Sequence, residues 1–243
     1  MRTPLIALCT LLGLAPTVTA ATAAASRPDV LFLAVDDLND WIQLLDPTAP
    51  IATPNLQRLA ARGVSFSRAY AASPACNPSR TAVLTGRATA SSGVYGNASD
   101  WRRALPDAVT LPQAFMRAGY RVEGAGKIFH HHLAGAFHDA ASFHDYLPMP
   151  WPPDAPMPEA KLNGLPAFGS RNTDWGAWPA HEADALDVRS VDWCLARIRK
   201  PSTRPLFLAC GLFRPHMPFF VPTGRKLDLL VGNSIFRGIG SNW

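Results

Sequence analysis

The chain has 243 residues, of which 48% are hydrophobic and 17% charged, so it has enough apolar side chains for a sizeable core. This composition excludes an intrinsically disordered chain and a coiled coil, and the length allows one large domain or two small ones. The net charge of +5 comes from residues spread along the chain without a run of five like charges. We therefore expect an ordinary charged surface or an anionic small substrate, and no nucleic-acid partner.

The first predicted element is an export signal. Arg2 precedes an apolar run from Leu5 to Ala15, and small residues continue to Ala25. This order is typical of a secretory signal peptide, and the apolar run is too short for a transmembrane segment. We therefore predict a signal peptide over residues 1–25 and a secreted or periplasmic protein. The alternative is a buried N-terminal helix.

Export makes the cysteines informative, because disulfides form in oxidising compartments. Cys9 falls within the predicted signal peptide, which leaves Cys76, Cys194 and Cys210. With an odd number, at least one thiol is free, pairs between molecules or serves another purpose. Cys194 lies in a helical pattern and Cys210 in an apolar run, so both are expected in the core, whereas Cys76 lies in a polar turn.

Strands and helices alternate in the first part of the mature chain. Residues 29–35 form a continuous apolar run, which is typical of a strand buried on both faces of a parallel sheet. Thr53 and Pro54 then predict the start of a helix that ends at Gly63. Residues 64–70 are predicted to form a second strand.

The alternation continues beyond this point and predicts an α/β fold with a mostly parallel sheet flanked by helices. Residues 146–166 contain seven prolines and no periodicity, so we expect an irregular loop that forms the rim of a substrate pocket. The other predicted elements are helices over 79–85, 110–118 and 181–200, and strands over 120–123 and 206–211.

Charged residues directly follow three of the predicted strands. They are the pair Asp36 and Asp37, the basic segment 126–130, and Arg-Pro-His at 214–216. Because ligands gather at the carboxyl ends of parallel strands, we expect these segments to share one site. The two aspartates end a buried run, which favours a bound Ca²⁺ or Mg²⁺ over a solvated turn, since uncompensated buried charge is costly.

The most specific segment is residues 76–86, which read Cys-Asn-Pro-Ser-Arg-Thr-Ala-Val-Leu-Thr-Gly. Cys76 precedes a predicted helix and Arg80 follows about one turn later, so the helix dipole and the cation are expected to lower the pKa of the thiol. This predicts a nucleophile, with a structural disulfide as the alternative. The segment resembles the sulfatase signature Cys-x-Pro-Ser-Arg followed by Leu-Thr-Gly, whose cysteine is oxidised after translation to formylglycine.

The resemblance to the sulfatase family extends over residues 28–222. The aspartates at 36–37 resemble the first calcium ligands of the family, residues 53–60 its first helix, and residues 126–130 its basic segment. That basic segment and Arg-Pro-His-Met-Pro at 214–218 are most similar to the iduronate-2-sulfatase-like branch. The family implies an alkaline-phosphatase/sulfatase-like fold, a sulfated small molecule or glycan as substrate, and a formylglycine-generating enzyme as maturation partner.

The resemblance also implies a mechanism. One hydroxyl of hydrated formylglycine at residue 76 attacks the sulfur of a sulfate monoester and releases the alcohol. The second hydroxyl then loses its proton and expels sulfate, which regenerates the aldehyde. Arg80 would hold the diol, Lys127 and His216 would bind sulfate oxygens, and His130 would be the base.

The metal site implied by the family is a hard-cation site. Its ligands would be Asp36, Asp37 and the modified Cys76, and the cation would be Ca²⁺, with Mg²⁺ as the alternative. Within the histidine triplet at 130–132, the choice of His130 follows from the motif. Without the resemblance, the triplet is equally consistent with a metal-binding group on the surface.

The family also implies a second acidic pair and another lysine that this sequence lacks. We therefore predict the N-terminal part of a sulfatase catalytic domain over residues 26–222 and an atypical tail over 223–243, produced by truncation or a frameshift. A sheet shortened in this way would expose an edge strand and an apolar face. The alternatives are a non-catalytic remnant that binds a sulfated or phosphorylated ligand, and a phosphomonoesterase or phosphodiesterase of the same superfamily.

Overall fold

The computed structural model describes residues 27–133, 137–150 and 157–223. The predicted signal peptide, residues 151–156 of the predicted loop and residues 224–243 of the predicted tail lie outside the described residues. Two 3-10 turns cover Ala140–Ser142 and Glu182–Asp184. The strands and helices are β1 (Val30–Val35), α1 (Pro54–Ala60), α2 (Cys76–Thr85), α3 (Thr89–Ser92), α4 (Trp101–Ala104), α5 (Leu111–Arg117), β2 (Arg121–Gly126), β3 (Asp145–Pro148), β4 (Trp175–Ala177), α6 (Leu186–Ile198), β5 (Leu206–Leu212) and β6 (Phe219–Val221).

A four-stranded sheet with the order β1-β5-β2-β3 forms the centre of the described fold. All its neighbouring strands are parallel, and β4 and β6 form a second, two-stranded parallel sheet. The central strand β5 is buried along nearly its whole length, with Phe207 and Ala209 in one core cluster and Leu208 and Cys210 in another. The predicted α/β class with a mostly parallel sheet is therefore confirmed.

Local sequence signals explain why several helices begin where they do. At the start of α5, the Thr110 hydroxyl accepts a hydrogen bond from the Gln113 N–H, and the Gln113 side chain accepts one from the Thr110 N–H. This reciprocal capping box satisfies two amide donors at the helix end. By contrast, α2 begins at Cys76, three residues before the predicted start, and its Asn77 N–H donates to the distant Asn97 side chain at 2.9 Å.

Three predicted elements differ from the structure. Residues 64–70 form no strand, and the side chains of Phe66 and Tyr70 are 78% and 87% exposed, because an apolar stretch without a neighbouring strand has no ladder to join. The first residues of the predicted irregular loop form β3, which pairs with β2. The predicted helix over 181–200 is divided into a 3-10 turn and α6.

The prediction that the first strand is buried on both faces is wrong. In β1, Leu31 is 56% exposed and Leu33 is 44% exposed, while the alternate residues Val30 and Phe32 pack against the core. Among the described residues, β1 pairs only with β5 and so lies at the edge of the sheet. Leu31 and Leu33 therefore form an exposed apolar face on a strand that lies at the edge among the described residues.

Candidate active site at the carboxyl ends of the strands

The three charged segments converge at one edge of the sheet, as the sequence predicts. The register pairs Val35 with Leu212 and Gly126 with Gly211, so β1, β5 and β2 end side by side. A Cβ atom on Gly211 would lie 2.2 Å from the carbonyl oxygen of Lys127, closer than real Cβ contacts. The glycine therefore permits the close approach that places Lys127 directly beyond β5.

Asp36 forms the centre of the site and is 5% exposed. Its Oδ1 accepts a hydrogen bond from Arg80 Nη2 at 2.7 Å, and its Oδ2 accepts one from Lys127 Nζ. Burial raises the pKa of Asp36, but the positive charges of Arg80 and Lys127 outweigh burial and hold this pKa below its ordinary value. Asp36 is therefore a carboxylate at neutral pH.

Arg80 joins this carboxylate to the backbone beyond β2. Its Nη1 donates to the carbonyl oxygens of Lys127 and Ile128 at 2.7 and 2.8 Å. One planar guanidinium thus satisfies three acceptors from two different strand ends. A fork of fixed donors suits this arrangement better than the single ammonium of lysine does.

Cys76 is the first residue of α2 and its Sγ lies 3.8 Å from Lys127 Nζ. The prediction of a lowered thiol pKa is wrong: burial raises the pKa of Cys76, and the nearby Asp36 and Asp37 raise it further, although Lys127 and Arg80 act in the opposite direction. The unmodified residue is therefore a protonated thiol at neutral pH and a poor nucleophile.

The other two described cysteines lie away from this site. Cys194 on α6 and Cys210 on β5 are both buried, which confirms that they belong to the core. Cys76, Cys194 and Cys210 are all free thiols, so the structural disulfide considered for Cys76 is not formed among the described residues.

His216 faces both aspartates from the segment that follows β5. Its Nε2 lies 4.0 Å from Asp36 Oδ2 and 3.7 Å from Asp37 Oδ2. The segment is held by Asp187 in the first turn of α6, whose carboxylate accepts hydrogen bonds from the N–H groups of Phe213 and Arg214 at 2.8 and 2.9 Å. Helix α6 therefore positions His216.

Within the histidine triplet, His130 is the member beside the other predicted residues. It lines a small cavity together with Lys127, His216 and Met157, the last of which belongs to the predicted substrate rim. Burial, and then the charges of Lys127 and Arg80, lower the pKa of His130 to about 4. Its imidazole is therefore neutral at pH 7, with a buried Nδ1 that has no hydrogen-bond partner among the described residues.

The oxygen donors at this site fit a hard cation. Asp36, Cys76 and His216 each present a ligand atom within 4.8 Å of the others, and Asp37 lies beside His216. Carboxylate oxygens suit Ca²⁺ or Mg²⁺, whereas the sulfur of Cys76 does not. An oxygen at position 76, as formylglycine would supply, would match the carboxylates of Asp36 and Asp37.

Two residues that position the site are not evident from the sequence. Asn77 is fully buried and its amide donates to the carbonyl oxygens of Gly96, Asn97 and Ser99 at 3.2, 3.3 and 2.7 Å, which anchors the start of α2. In the sequence, Asp187 is an ordinary acidic residue in the first turn of a helix, and nothing there indicates that it holds the segment of His216. The only sequence signal for Asn77 is its place directly after Cys76.

Comparison with known proteins agrees with this geometry. Residues 28–224 match the protein family described as Sulfatase. A sulfatase from Formosa agariphila is 37% identical over 209 residues, covering 81% of this chain and 40% of that protein. Human iduronate 2-sulfatase is 30% identical over 216 residues, covering 84% of this chain and 38% of that protein. The chain thus spans about 40% of the length of these relatives.

Solved structures show the same fold at lower sequence identity. The phosphonate monoester hydrolase of Silicibacter pomeroyi superposes with a TM-score of 0.61 at 22% identity, over 82% of this chain and 43% of that protein. A 2-O GAG sulfatase superposes with a TM-score of 0.55 at 23% identity, over 79% of this chain and 36% of that protein.

These likenesses show a fold of the alkaline-phosphatase/sulfatase-like class, as the sequence predicts. The family match covers most of the chain and human iduronate 2-sulfatase is among its relatives. This chain belongs to the sulfatase family. None of its described helices is both long enough and apolar enough to cross a bilayer.

Proposed function

We propose that this chain carries the nucleophile and the anion-binding cations of a sulfate monoester hydrolase that acts through formylglycine at residue 76. The observation that carries the proposal is the convergence of Cys76, Lys127, Asp36 and Arg80 at one sheet edge, with Lys127 Nζ 3.8 Å from Cys76 Sγ. Family membership supports hydrolysis of a sulfate ester as the reaction.

The raised pKa of Cys76 supports its conversion to an aldehyde. A thiol that stays protonated at neutral pH has little nucleophilic thiolate, and its sulfur is a poor ligand for a hard cation. A hydrated aldehyde at the same position presents two oxygens to the carboxylates and cations around it. The modification thus gives the site both a nucleophile and an oxygen ligand.

The residues around position 76 have separate proposed roles in binding the metal ion and the sulfate group. Asp36, Asp37 and the modified residue 76 would hold Ca²⁺ or Mg²⁺, which when bound supplies positive charge beside the nucleophilic oxygen. Lys127 and His216 would bind the oxygens of the sulfate group and stabilise its charge, and their positions beside Asp36 support this role.

His130 is proposed as the base. The family motif and the place of His130 beside Lys127 and His216 support this role, and its imidazole is neutral at pH 7. Arg80 holds Asp36 and the backbone of Lys127 and Ile128 in place while it contributes positive charge to the site.

The family supports a sulfated small molecule or glycan as substrate. One solved neighbour, of the same fold, is a complex with D-glucosamine-2-N,6-O-disulfate, and human iduronate 2-sulfatase is among the relatives. The predicted signal peptide further supports export to the periplasm or the medium, with a formylglycine-generating enzyme as the maturation partner. The relatives are sulfatases, so they do not favour the non-catalytic alternative.

The first test is the chemical state of residue 76. The 243-residue chain is co-expressed with a formylglycine-generating enzyme, and the tryptic peptide that contains residue 76 is analysed by mass spectrometry. We expect a loss of about 18 Da relative to the thiol, because an aldehyde oxygen replaces the sulfur and two hydrogens. A fully alkylatable Cys76 in every preparation would overturn the formylglycine assignment.

The second test measures turnover of an aryl sulfate and an aryl phosphate with and without Ca²⁺. We expect weak or no release of the phenol by the 243-residue chain, which lacks the second acidic pair and the lysine that the family implies, and Ca²⁺-dependent release from the sulfate ester by a version extended with the carboxyl half of a sulfatase domain. In the extended version this activity is lost in Cys76→Ala and retained in Cys194→Ala, which removes a core thiol instead. Hydrolysis of the phosphate ester alone, with the aldehyde verified, would overturn the proposed substrate class and favour a phosphoesterase. Unchanged turnover in Cys76→Ala would overturn the role of residue 76.

A further inference from the structure

A second group of metal-ligating side chains lies outside the proposed active site. It consists of Asp100, His131 and His132. The Nδ1 atoms of the two histidines are 3.0 Å apart, and His132 Nδ1 lies 3.8 Å from Asp100 Oδ2. All three ligand atoms lie within 4.8 Å of one another, so they converge on a common point.

The fold holds two of these side chains in position. Asp100 caps the N-terminus of α4, where its Oδ1 accepts a hydrogen bond from the Arg103 N–H at 3.0 Å and its Oδ2 remains beside His132. His131 packs edge-on against the buried ring of Trp101, with 6.1 Å between ring centroids. The cluster is therefore partly ordered before any ligand binds.

The protonation states of the cluster suit a cation. The hydrogen bond from the Arg103 N–H lowers the pKa of Asp100, so its side chain is a carboxylate. Burial and the neighbouring His132 lower the pKa of His131, so its imidazole is neutral at pH 7 and keeps a lone pair for a metal.

We propose that Asp100, His131 and His132 bind a divalent transition metal of the Zn²⁺ type. Two imidazoles and one carboxylate are a common zinc ligand set, with water in the fourth position. Zn–N bonds of about 2.0–2.1 Å in a tetrahedral site place two nitrogens roughly 3.3 Å apart, close to the observed 3.0 Å. This site goes beyond the proposed sulfate hydrolysis and uses none of its residues.

Ligand chemistry separates this site from the hard-cation site. The cluster offers two nitrogens and one oxygen, which suit Zn²⁺, Ni²⁺ or Cu²⁺ and are poor ligands for Ca²⁺. The site around Asp36 offers the carboxylate oxygens of Asp36 and Asp37 beside the sulfur of Cys76 and a nitrogen of His216. Without the thiol of Cys76, which is itself a zinc ligand, each site is expected to keep its own cation when both Zn²⁺ and Ca²⁺ are present.

A bound metal would connect the segment after β2 to the start of α4. His131 and His132 directly follow His130 in the chain, whereas Asp100 lies about 30 residues earlier, before α4. Three ligands from two segments that are distant in sequence would restrain both. We therefore expect Zn²⁺ to stabilise the folded chain, because a ligand bound only to the folded state raises its stability by mass action.

The experiment titrates the purified chain with Zn²⁺ against a chelating indicator in excess Ca²⁺ and follows thermal unfolding in parallel. Every sample, including the one called wild type here, carries Cys76→Ala, so that the site around Asp36 offers no thiol to Zn²⁺. The first variant is the double substitution His131→Ala/His132→Ala. The second is Asp100→Asn, because asparagine caps a helix about as well as aspartate does. The control is His181→Ala, which removes an exposed imidazole elsewhere. We expect one Zn²⁺ equivalent in the wild type and in the control, none in the double variant, and binding at least about tenfold weaker in Asp100→Asn.

Replacement of Zn²⁺ by Co²⁺ gives a readout of geometry that a general loss of stability would not produce. A tetrahedral site is expected to show strong visible absorption bands in the wild type that the double variant lacks. The far-ultraviolet circular dichroism of each metal-free variant checks that it is folded. Equal Zn²⁺ binding by the wild type and a folded double variant, or no binding up to about 1 mM, would overturn the proposal.

Discussion

Replacement of Arg80 tests whether one guanidinium holds the strand ends together. In Arg80→Ala, the buried Asp36 loses the partner at 2.7 Å, and the carbonyls of Lys127 and Ile128 lose donors at 2.7 and 2.8 Å. Removal of one partner from a buried ion pair costs about 3–5 kcal/mol, and an unsatisfied carbonyl about 1–3 kcal/mol. Because Lys127 still pairs with Asp36 and water reaches the space left behind, we expect a total loss of about 3–5 kcal/mol.

The comparison of two substitutions distinguishes charge from geometry. Arg80→Lys keeps the charge beside Asp36 but offers a compact ammonium in place of a planar fork, so we expect an intermediate loss of about 1–3 kcal/mol. The control is Arg103→Ala on the exposed side of α4, with an expected change within about 0.5 kcal/mol. The assay is urea unfolding followed by circular dichroism and tryptophan fluorescence, with free energies taken by linear extrapolation.

We expect the same variants to change how the free energy of unfolding depends on pH in acid, which we call the acid limb. In the wild type, the pKa of Asp36 is held below its ordinary value, so this group contributes stability that is present at pH values above about 4 and is lost as the pH falls further. Without Arg80, the folded-state pKa of Asp36 moves back toward or above its ordinary value, so the loss of stability on acidification becomes smaller. An Arg80→Ala chain within about 1 kcal/mol of the wild type, with an unchanged acid limb, would refute this account of the site.

Three other substitutions test how the site is built, each by urea unfolding. Gly211→Ala would place a Cβ atom 2.2 Å from the Lys127 carbonyl oxygen, so we expect the free energy of unfolding to fall by about 1–3 kcal/mol or more. Gly96→Ala is the neutral control, because no atom lies within 4 Å of the added Cβ. Equal effects of the two substitutions would contradict the close approach at Gly211. Asn77→Ala removes an amide that donates to three carbonyls, so we expect a loss of about 1–3 kcal/mol, and an unchanged free energy would show that water replaces it. The pKa of His130 is lowered to about 4, so the neutral imidazole stabilises the fold above about pH 6.5 and this contribution is lost as the pH falls toward 4. We expect His130→Gln to flatten the dependence of the unfolding free energy on pH between these two values. An unaltered slope in that range would contradict the lowered pKa.

The positions of the site residues along the chain are already visible in the sequence. The predicted strands that became β1, β2 and β5 are each followed by charged residues, and parallel strands bring such residues to one edge. The positions of Asp36, Lys127 and His216 after these strands therefore predict a shared site without knowledge of the sheet order, and the resemblance to sulfatases adds Cys76 and Arg80 to it. These signals are local, because each depends on a few neighbouring residues.

The burial of each strand and the identity of its neighbouring strands could not be predicted from such local signals. The segment 64–70 has the composition of a strand but no strand to pair with, and Leu31 and Leu33 are exposed because β1 lies at the edge among the described strands. The sheet order β1-β5-β2-β3 is set by contacts between segments far apart in the chain. A window of sequence contains no information on which neighbour completes its hydrogen bonds.

The sequence by itself determined the family, through the signature around Cys76, and the set of charged residues that the family uses. Only the tertiary structure decided their chemical state. The thiol of Cys76 stays protonated because burial and the carboxylates of Asp36 and Asp37 outweigh the helix terminus and the cations, which was the reverse of the prediction from the motif alone. The physical reason is that desolvation and charge act through space, and their sum is fixed only when distant segments are packed together.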